Sequence, residues 1–292
     1  MSNLQEIKNR IYSVSTTQKI TKAMELISTS KFSKIKKNMQ KVEDYYVNIK
    51  NIFFDLLKYS KPGIDILLNE KLTWKFEKKR KLYIVFGSDL GLCGAFNFNL
   101  LKKINEEVTK NDIMIVVGSK LLNMLAKRPD THIIQSLIKI GDDPNYEAAK
   151  EIASRIFEVL QISDLESIKV IYTKYLNPVK LEPIVKEIYP ISFDENYETN
   201  AFLDDKSFEP SADIIIKDSF SMFFEASIYY VLYNSKLSEM SMRRLAMEQA
   251  TDNAVDLIDN LKIKYNQTRQ AKITQEITEI VSGSNSKTKQ GV

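Results

Sequence analysis

Residues 247–270 read MEQATDNAVDLIDNLKIKYNQTRQ and lie in a longer stretch, 211–281, that contains neither proline nor glycine. Apolar or small side chains recur here at steps of three and four, at Met247, Ala250, Ala254, Leu257, Leu261, Tyr265 and Thr268. Such spacing is typical of a coiled-coil seam. Ile273, Ile277 and Ile280 extend it, and Gly283 is the expected C-terminal stop. The pattern predicts one long helix that needs a partner helix.

The N-terminal part of the chain has the same character. Residues 4–57 lack proline and glycine, and apolar side chains follow the same spacing at Leu4, Ile7, Ile11, Val14, Ile20, Met24 and Ile27. A helix of this length would span about 80 Å, which is longer than a globular core of this size, so we expect it to project. Lys61-Pro62-Gly63 is expected to end it. Two such segments in one chain pair most simply with each other in antiparallel sense.

The residues between these segments have a different texture. Short apolar runs at 82–86, 113–117, 132–135 and 168–173 predict strands, helical patterns at 98–108, 121–126 and 146–160 alternate with them, and 181–190 predicts a further strand. We therefore predict a small, mainly parallel, Rossmann-like α/β sheet with a late hairpin at its edge. The predicted domains are an N-terminal coiled-coil helix (1–61), the α/β domain (75–195), a C-terminal coiled-coil helix (208–284) that pairs with the first, and a polar tail (285–292). An acidic linker, 194–210, leads into the second helix.

Charge is unevenly distributed along the chain. The net charge is +4, but residues 1–61 hold twelve Lys/Arg against five Asp/Glu. A basic helix of this kind suits a nucleic acid, a membrane surface, an acidic protein partner or simply solvent. The single cysteine excludes an internal disulfide, and no apolar run is long enough to span a bilayer. The first residues show no signal-peptide pattern.

No group of side chains predicts catalysis. The loop 87–94, GSDLGLCG, invites a phosphate-binding interpretation but lacks the Gly-Lys-Ser/Thr ending of a P-loop, so a structural turn is the stronger hypothesis. His132, the only histidine, lies in an apolar run and is expected to be packed, and Cys93 has no second thiol or nearby histidine. We predict no catalytic, cofactor-binding or metal-binding residues, which favours a structural or coupling protein.

Three motifs carry a family resemblance that extends over the whole chain. Residues 8–24 (KNRIYSVSTTQKITKAM), 88–97 (SDLGLCGAFN) and, above all, 247–259 with 265–283 resemble the gamma subunits of F-type ATP synthases. Where this family commonly has Arg, Gly and Ala, the chain has Leu90, Ala95 and Ser284. The first two differences weaken any family role for the loop.

The resemblance implies a central stalk. Its coiled coil would thread a ring of three alpha and three beta subunits, and its α/β domain would meet epsilon and the membrane rotor ring. The chain would then be a non-catalytic subunit at the cytoplasmic face of a bacterial membrane, without membrane insertion, coupling ATP synthesis or hydrolysis on beta to rotation and proton flow. No nucleic acid and no cofactor are expected.

The family's beta-contact positions transfer to eight residues. The zone facing the acidic lever of beta matches Met24, Lys19 and Lys22, with Arg243 on the returning helix. A higher polar patch matches Arg269, Gln270, Thr274 and Glu276. Without the resemblance, the same residues would be interpreted as solvated helix surface.

Two alternatives remain at the level of sequence. A related rotor could lack a proton channel and drive another mechanical task, because the demands on a shaft are the same; neighbouring membrane-ring and stator genes would argue against this. A coiled coil that binds nucleic acid through its basic arm would show affinity that falls steeply with salt.

Overall fold

A computed structural model describes residues 4–59, 80–128, 131–160, 165–178, 180–189 and 212–288. The chain divides into two compact units, which we call the terminal helical unit (Met1–Ile27 with Arg244–Val292) and the α/β unit (Ser28–Arg243). Helix α1 (Leu4–Tyr59) and helix α5 (Ala212–Thr288) each contribute to both units. The predicted helix stop at 61–63 and the linker 194–210 lie outside the described residues.

The α/β unit contains a five-stranded sheet in the order β3-β2-β1-β4-β5. The elements along the chain are β1 (Arg80–Phe86), α2 (Phe96–Glu107), β2 (Ile113–Val117), α3 (Ser119–Leu125), β3 (His132–Leu137), α4 (Tyr146–Leu160), β4 (Leu165–Tyr175) and β5 (Leu181–Tyr189). The pairs among β1 to β4 are parallel, and β5 is antiparallel to β4 at the edge. The predicted strands, helices and edge hairpin are confirmed.

Both faces of the sheet are covered by helices. Apolar side chains along the central strands point alternately to one face and to the other, so each face has an apolar surface to bury. Leu82, Ile84 and Phe86 of β1 point into a core shared with α1, α4 and α5. Tyr83 and Val85 point the other way, into a core closed by α2 and α3. The result is a three-layer arrangement with fully buried central strands, as expected for parallel strands between helices.

At the opposite edge, β3 is irregular. Met114 pairs with Ile133 and Ile115 with Gln135, so Ile134 is skipped in the register. A bulge of this kind discourages pairing with another sheet. The expectation that His132 is packed is wrong: it is exposed, because an edge strand has a neighbour on only one side.

Helices α1 and α5 run antiparallel within the α/β unit. Phe53 stacks on Phe223 with ring centroids 4.9 Å apart, and Tyr46 stacks on Tyr230 at 4.8 Å. Higher residue numbers on one helix thus meet lower numbers on the other. This confirms the predicted antiparallel pairing of the two long helices.

The terminal helical unit keeps the heptad seam, but with a register that differs from the expected one. On α1 a series of buried or half-buried positions runs through Leu4, Ile7, Ile11, Val14, Gln18, Thr21 and Glu25, with Ser15 and Met24 also half-buried beside it. On α5 the series runs through Met247, Thr251, Ala254, Ile258, Leu261, Tyr265 and Thr268, with Glu248 and Ala250 also half-buried beside it. Both series alternate steps of three and four without interruption. The seam therefore becomes polar in the middle, where Thr21 and Thr251 share a hydrogen bond of 2.9 Å.

Within this paired region, three seam assignments made from the sequence are therefore wrong. Ile20, Ile27 and Leu257 are 56%, 55% and 38% exposed. The sequence interpretation followed the apolar residues, whereas the structure keeps the regular spacing and places polar side chains in the seam. Helix α5 also continues through Gly283 to Thr288, because one glycine costs a helix only about 1 kcal/mol.

Candidate partner-binding surfaces

The loop that resembles a phosphate cradle is a packed turn. It follows β1, at the edge where ligands bind in many doubly wound sheets. Here the side chains of α5 occupy that edge: Ser235 donates to the Phe86 carbonyl at 3.2 Å, and Ser238 donates to the Thr173 carbonyl at 3.0 Å. The loop presents carbonyl oxygens to Arg243, and oxygens repel a phosphate. We conclude that this edge serves to attach α5 to the sheet.

The same loop encloses the cysteine. Cys93 is 3% exposed, and Asn97 donates to the hydroxyl of Ser88 at 2.7 Å beside it. Burial raises the pKa of the Cys93 thiol, which disfavours the reactive thiolate. Among the described residues no group of His, Cys, Asp or Glu could hold a metal ion.

Arg243, which is predicted to contact beta, is a buried residue in this structure. It is 5% exposed, forms an ion pair with the buried Glu239 at 2.7 Å, and donates to the carbonyls of Leu90 at 3.3 Å and Gly91 at 3.4 Å. Lys236 holds the other carboxylate oxygen at 3.2 Å. The guanidinium of Arg243 is engaged inside the α/β unit and positions the loop after β1, and its contact with beta stays a prediction.

The other residues that are predicted to face the lever of beta lie together on α1, in the terminal helical unit. Lys19 and Lys22 are exposed, and Met24 is half-buried beside the seam. Lys22 pairs with Glu25 at 2.8 Å, and this hydrogen bond raises the pKa of the lysine. Part of the positive charge of this surface is thus balanced within the chain, whereas Lys19 has no ion pair among the described residues.

Sequence reasoning missed the apolar half of this surface. Ile20, Leu26 and Ile27 are exposed to 56%, 59% and 55%. Large apolar side chains that cluster on a surface are a signal for a protein partner. A strict heptad count from Ile7 would have found them, because it places Gln18, Thr21 and Glu25 in the seam. We call Ile20, Leu26 and Ile27, together with Lys19 and Lys22, the α1 outer face.

The four residues of the polar patch lie together near the end of α5. Arg269, Gln270, Thr274 and Glu276 are all exposed, as is every residue from 269 to 282. Thr274 donates to the backbone carbonyl of its own helix at 2.9 Å, and Lys272 lies 3.7 Å from Glu276.

This segment lies beyond the part of the seam that the structure describes. The described part of α1 begins at Leu4, whose level in the seam corresponds to the last half-buried residues of α5. Ile273, Ile277 and Ile280, predicted to continue the seam, are therefore 46%, 56% and 71% exposed. We call residues 269–282 the α5 end segment. It combines the predicted polar contacts with an apolar stripe that no described residue covers.

These features define a class of protein. It has two long paired helices with exposed apolar surfaces, and an α/β sheet in which α5 occupies the edge where ligands bind in other doubly wound folds. A family model described as ATP synthase matches residues 3–286. The chain belongs to this ATP synthase family. No helix among the described residues has both the length and the apolar character needed to cross a membrane.

Individual relatives are similar over their whole length. The chain is 39% identical to the ATP synthase gamma chain of Mycoplasmopsis pulmonis, covering 97% of this chain and 99% of that protein. It is 39% identical to the gamma chain of Mycoplasma mobile over the same shares, and 34% identical to that of Clostridium kluyveri over 97% of each.

Solved structures share the fold. A chain of the Euglena gracilis mitochondrial ATP synthase, in a structure of OSCP, F1 and c-ring, superposes with a TM-score of 0.68 at 15% identity, covering 97% of this chain and 94% of that one. A chain from the central stalk and c-ring of the Tetrahymena thermophila enzyme gives 0.58 at 20% identity, covering 79% and 99%.

Proposed function

We propose that this chain is the central rotor of a proton-translocating F-type ATP synthase, coupling ATP synthesis or hydrolysis on neighbouring subunits to rotation and proton flow. The observation that carries the proposal is the full-length similarity to gamma chains at up to 39% identity. The uncovered surfaces of the terminal helical unit support it, because a rotor must touch its stator through side chains that its own fold leaves free.

Stiffness of the shaft follows from the seam. Two helices that interlock at every third and fourth residue resist twisting better than one helix does. In the terminal helical unit the seam runs without a break from Ile7 to Glu25 on α1. A shaft of this kind can transmit torque between its two ends.

Asymmetry of the shaft follows from its outer faces. The α1 outer face is apolar and basic, whereas neighbouring positions of α5 include Asp252, Asp256 and Asp259, all exposed. Identical stator subunits placed around such a shaft would meet different surfaces. Because each of three identical catalytic sites would then contact a different face of the rotor, the three sites can differ in their affinity for nucleotide.

The partners follow from the same proposal. Three alpha and three beta subunits would surround the helices, with an acidic lever of beta facing Lys19, Lys22 and Met24, and a further loop of beta facing the α5 end segment. Opposite charges across this contact favour orientation and fast encounter more than tight adhesion. Epsilon and the membrane rotor ring would meet the α/β unit. We place the chain at the cytoplasmic face of the bacterial membrane, attached only through these subunits.

The α5 end segment offers the most direct test. Gln270 is exposed; its backbone carbonyl accepts from the Thr274 hydroxyl, and its side chain has no partner among the described residues. We expect Gln270→Leu to lower the ATPase turnover of the assembled alpha-beta-gamma complex about tenfold, the effect of losing one or two hydrogen bonds to a neighbour. Assembly of the complex, followed by gel filtration, should be unchanged.

The control is Gln275→Leu, the same change about 140° round the helix. Gln275 is also exposed and bonds only to Glu279, at 2.8 Å. Its effect on turnover should be smaller. Equal turnover in wild type and Gln270→Leu would remove Gln270 from the contact. A wild-type chain that fails to co-purify with its own alpha and beta subunits would overturn the rotor proposal itself.

The related rotor without a proton channel is separated by a different measurement. Inverted membrane vesicles that contain the complex should acidify when ATP is added, and an uncoupler should abolish the gradient. ATP hydrolysis without acidification would favour the alternative task.

A further inference from the structure

Lys186 of β5 holds an unusual position between the sheet and both long helices. Its Nζ donates to the hydroxyl of Tyr46 on α1 at 2.5 Å. The amine also lies 4.2 Å from the ring centre of Tyr46 and 5.5 Å from that of Tyr230 on α5. The two rings stack on each other at 4.8 Å. One half-buried lysine thus touches both helices of the pair.

Among the described residues, no carboxylate lies within ion-pair distance of the Lys186 amine. Its charged neighbours are instead two further lysines, Lys50 one turn after Tyr46 on α1 and Lys174 on the same face of the β4–β5 ribbon. Burial, together with these two cations, lowers the pKa of Lys186 from 10.5 to about 8.

The tyrosine hydroxyls around the amine stay neutral. Burial raises the pKa of Tyr46 to about 12, so its hydroxyl is uncharged wherever the lysine titrates. Tyr172 of β4 and Tyr230 have raised pKa values for the same reason. Glu43 acts on both of these tyrosines but is not a partner of the lysine. The amine is therefore surrounded by phenols and cations.

Such surroundings produce a nucleophile. A lysine reacts only in its uncharged form, and nearby cations together with burial increase that fraction at neutral pH. Tyr46 holds the nitrogen in a fixed orientation through its hydrogen bond. Lys50 and Lys174 supply positive charge at the same place, which attracts a small anion. The reagents that combine an anion with a reactive carbonyl are the acyl phosphates.

We propose that Lys186 is a modification site for acyl phosphates, with Lys50 and Lys174 drawing in the phosphate group. The uncharged amine attacks the carbonyl carbon, a C–N bond forms, and the C–O bond to phosphate breaks. Phosphate leaves with that electron pair, and the extra amine proton passes to phosphate or water. The product is a neutral amide on β5. This inference does not depend on the rotor function.

Acylation would change the joint between sheet and helices. The amide keeps one N–H for Tyr46 but loses the charge that attracts both rings, a contact worth about 0.5–2 kcal/mol in proteins. The edge strand β5 would then be held less firmly against α1 and α5. The concentration of acyl phosphates would in this way change how strongly β5 packs against α1 and α5.

The test uses the assembled complex that contains the full chain, incubated with acetyl phosphate at pH 8. Acetylation is followed over time by mass spectrometry at Lys186 and at Lys180, an exposed lysine of the β4–β5 turn. We expect Lys186 to react about tenfold faster, because burial and the two neighbouring lysines lower the pKa of its amine and increase its uncharged share. Acetylation of Lys186 no faster than that of Lys180 would overturn the proposal.

Two further arms test the role of the flanking cations. In the double variant Lys50→Gln/Lys174→Gln, the rate at Lys186 should fall toward that of Lys180. With a neutral acetyl ester as reagent, the preference for Lys186 should shrink, since attraction of the anion is lost. An equal preference for both reagents would show a reactive lysine but overturn its assignment to acyl phosphates. The wild-type comparison stands even if the variant does not fold.

Discussion

At the scale of single residues, Arg243 shows how a surface assignment changes once burial is known. Its spacing on α5 is compatible with an outward direction, and its charge suggests solvent or an acidic partner. In the fold it meets Glu239 and two loop carbonyls inside the α/β unit. A buried arginine with three acceptors holds a loop in place, and this role cannot be recognised without the loop itself.

We expect Arg243→Ala to destabilise the chain by about 2–3 kcal/mol, because it leaves the buried carboxylate with Lys236 alone. Urea unfolding of the full chain would measure this. Arg244→Ala is a matched control, since Arg244 is the next residue and its pair with Glu248 at 3.2 Å is partly exposed. Its cost should stay below about 1 kcal/mol. Equal losses in the two variants would contradict the assigned role of Arg243.

At the scale of elements, the polar middle of the seam is the main departure from a simple coiled coil. The hydroxyl oxygens of Thr21 and Thr251 lie 2.9 Å apart across the two helices, and each hydroxyl also lies within hydrogen-bond distance of a carbonyl of its own helix. Each hydroxyl carries one hydrogen, so the pair donates two of these three hydrogen bonds at a time. Polar groups in a seam specify register at a cost in stability. The regular spacing therefore continues through residues that a search for apolar side chains passes over.

Replacing one threonine by valine should cost about 1 kcal/mol, since the remaining hydroxyl loses its partner across the seam. The double variant Thr21→Val/Thr251→Val should be close to wild type or more stable, because both polar groups are gone. A double-mutant cycle by thermal unfolding checks this. Costs that simply add would mean that the two hydroxyls do not interact.

The strand β5 carries a pH dependence of its own. Lys186 has a folded pKa near 8 against 10.5 for the free side chain, so between these values the unfolded chain binds more protons. Stability contributed by this group must then rise as pH increases through that window. Wild type should gain stability relative to Lys186→Met between pH 7.5 and 9.5 in urea unfolding. A constant difference between the two proteins would contradict the lowered pKa.

At the scale of the whole molecule, function depends on surfaces that the fold leaves uncovered. The α1 outer face and the α5 end segment both carry large apolar side chains in a water-exposed position. A protein that worked alone would gain by burying them. Their presence agrees with a chain that belongs to the ATP synthase family and completes its contacts in an assembly.

Met24→Lys places another cation on the α1 outer face, beside Lys19 and Lys22. If this face meets an acidic lever of beta, the added charge increases the attraction between the chain and the lever at one rotation angle. Rotation away from that angle then becomes less favourable. We expect fewer protons pumped per ATP hydrolysed in inverted vesicles, while Met24→Leu, which conserves volume and polarity, behaves as wild type. Unchanged coupling in the lysine variant would remove Met24 from the contact.

Local spacing was enough to predict the helices, the strands and the antiparallel pairing, because periodicity is a property of neighbouring residues. The antiparallel β5 edge was also predictable, from a strand that follows a short turn after β4. The family resemblance located the contact zones on α1 and α5, but their role stays a prediction.

Register, burial and neighbourhood were decided only in three dimensions. Ile20 and Ile27 face outward since the helices interlock through Gln18, Thr21 and Glu25 instead. Arg243 is buried because a loop far away in sequence closes over it. Lys186 owes its lowered pKa to residues on three other elements. Each of these properties depends on which residues far apart in sequence come into contact. A heptad pattern predicts only that the helix packs against a partner helix, not which side chains are in contact.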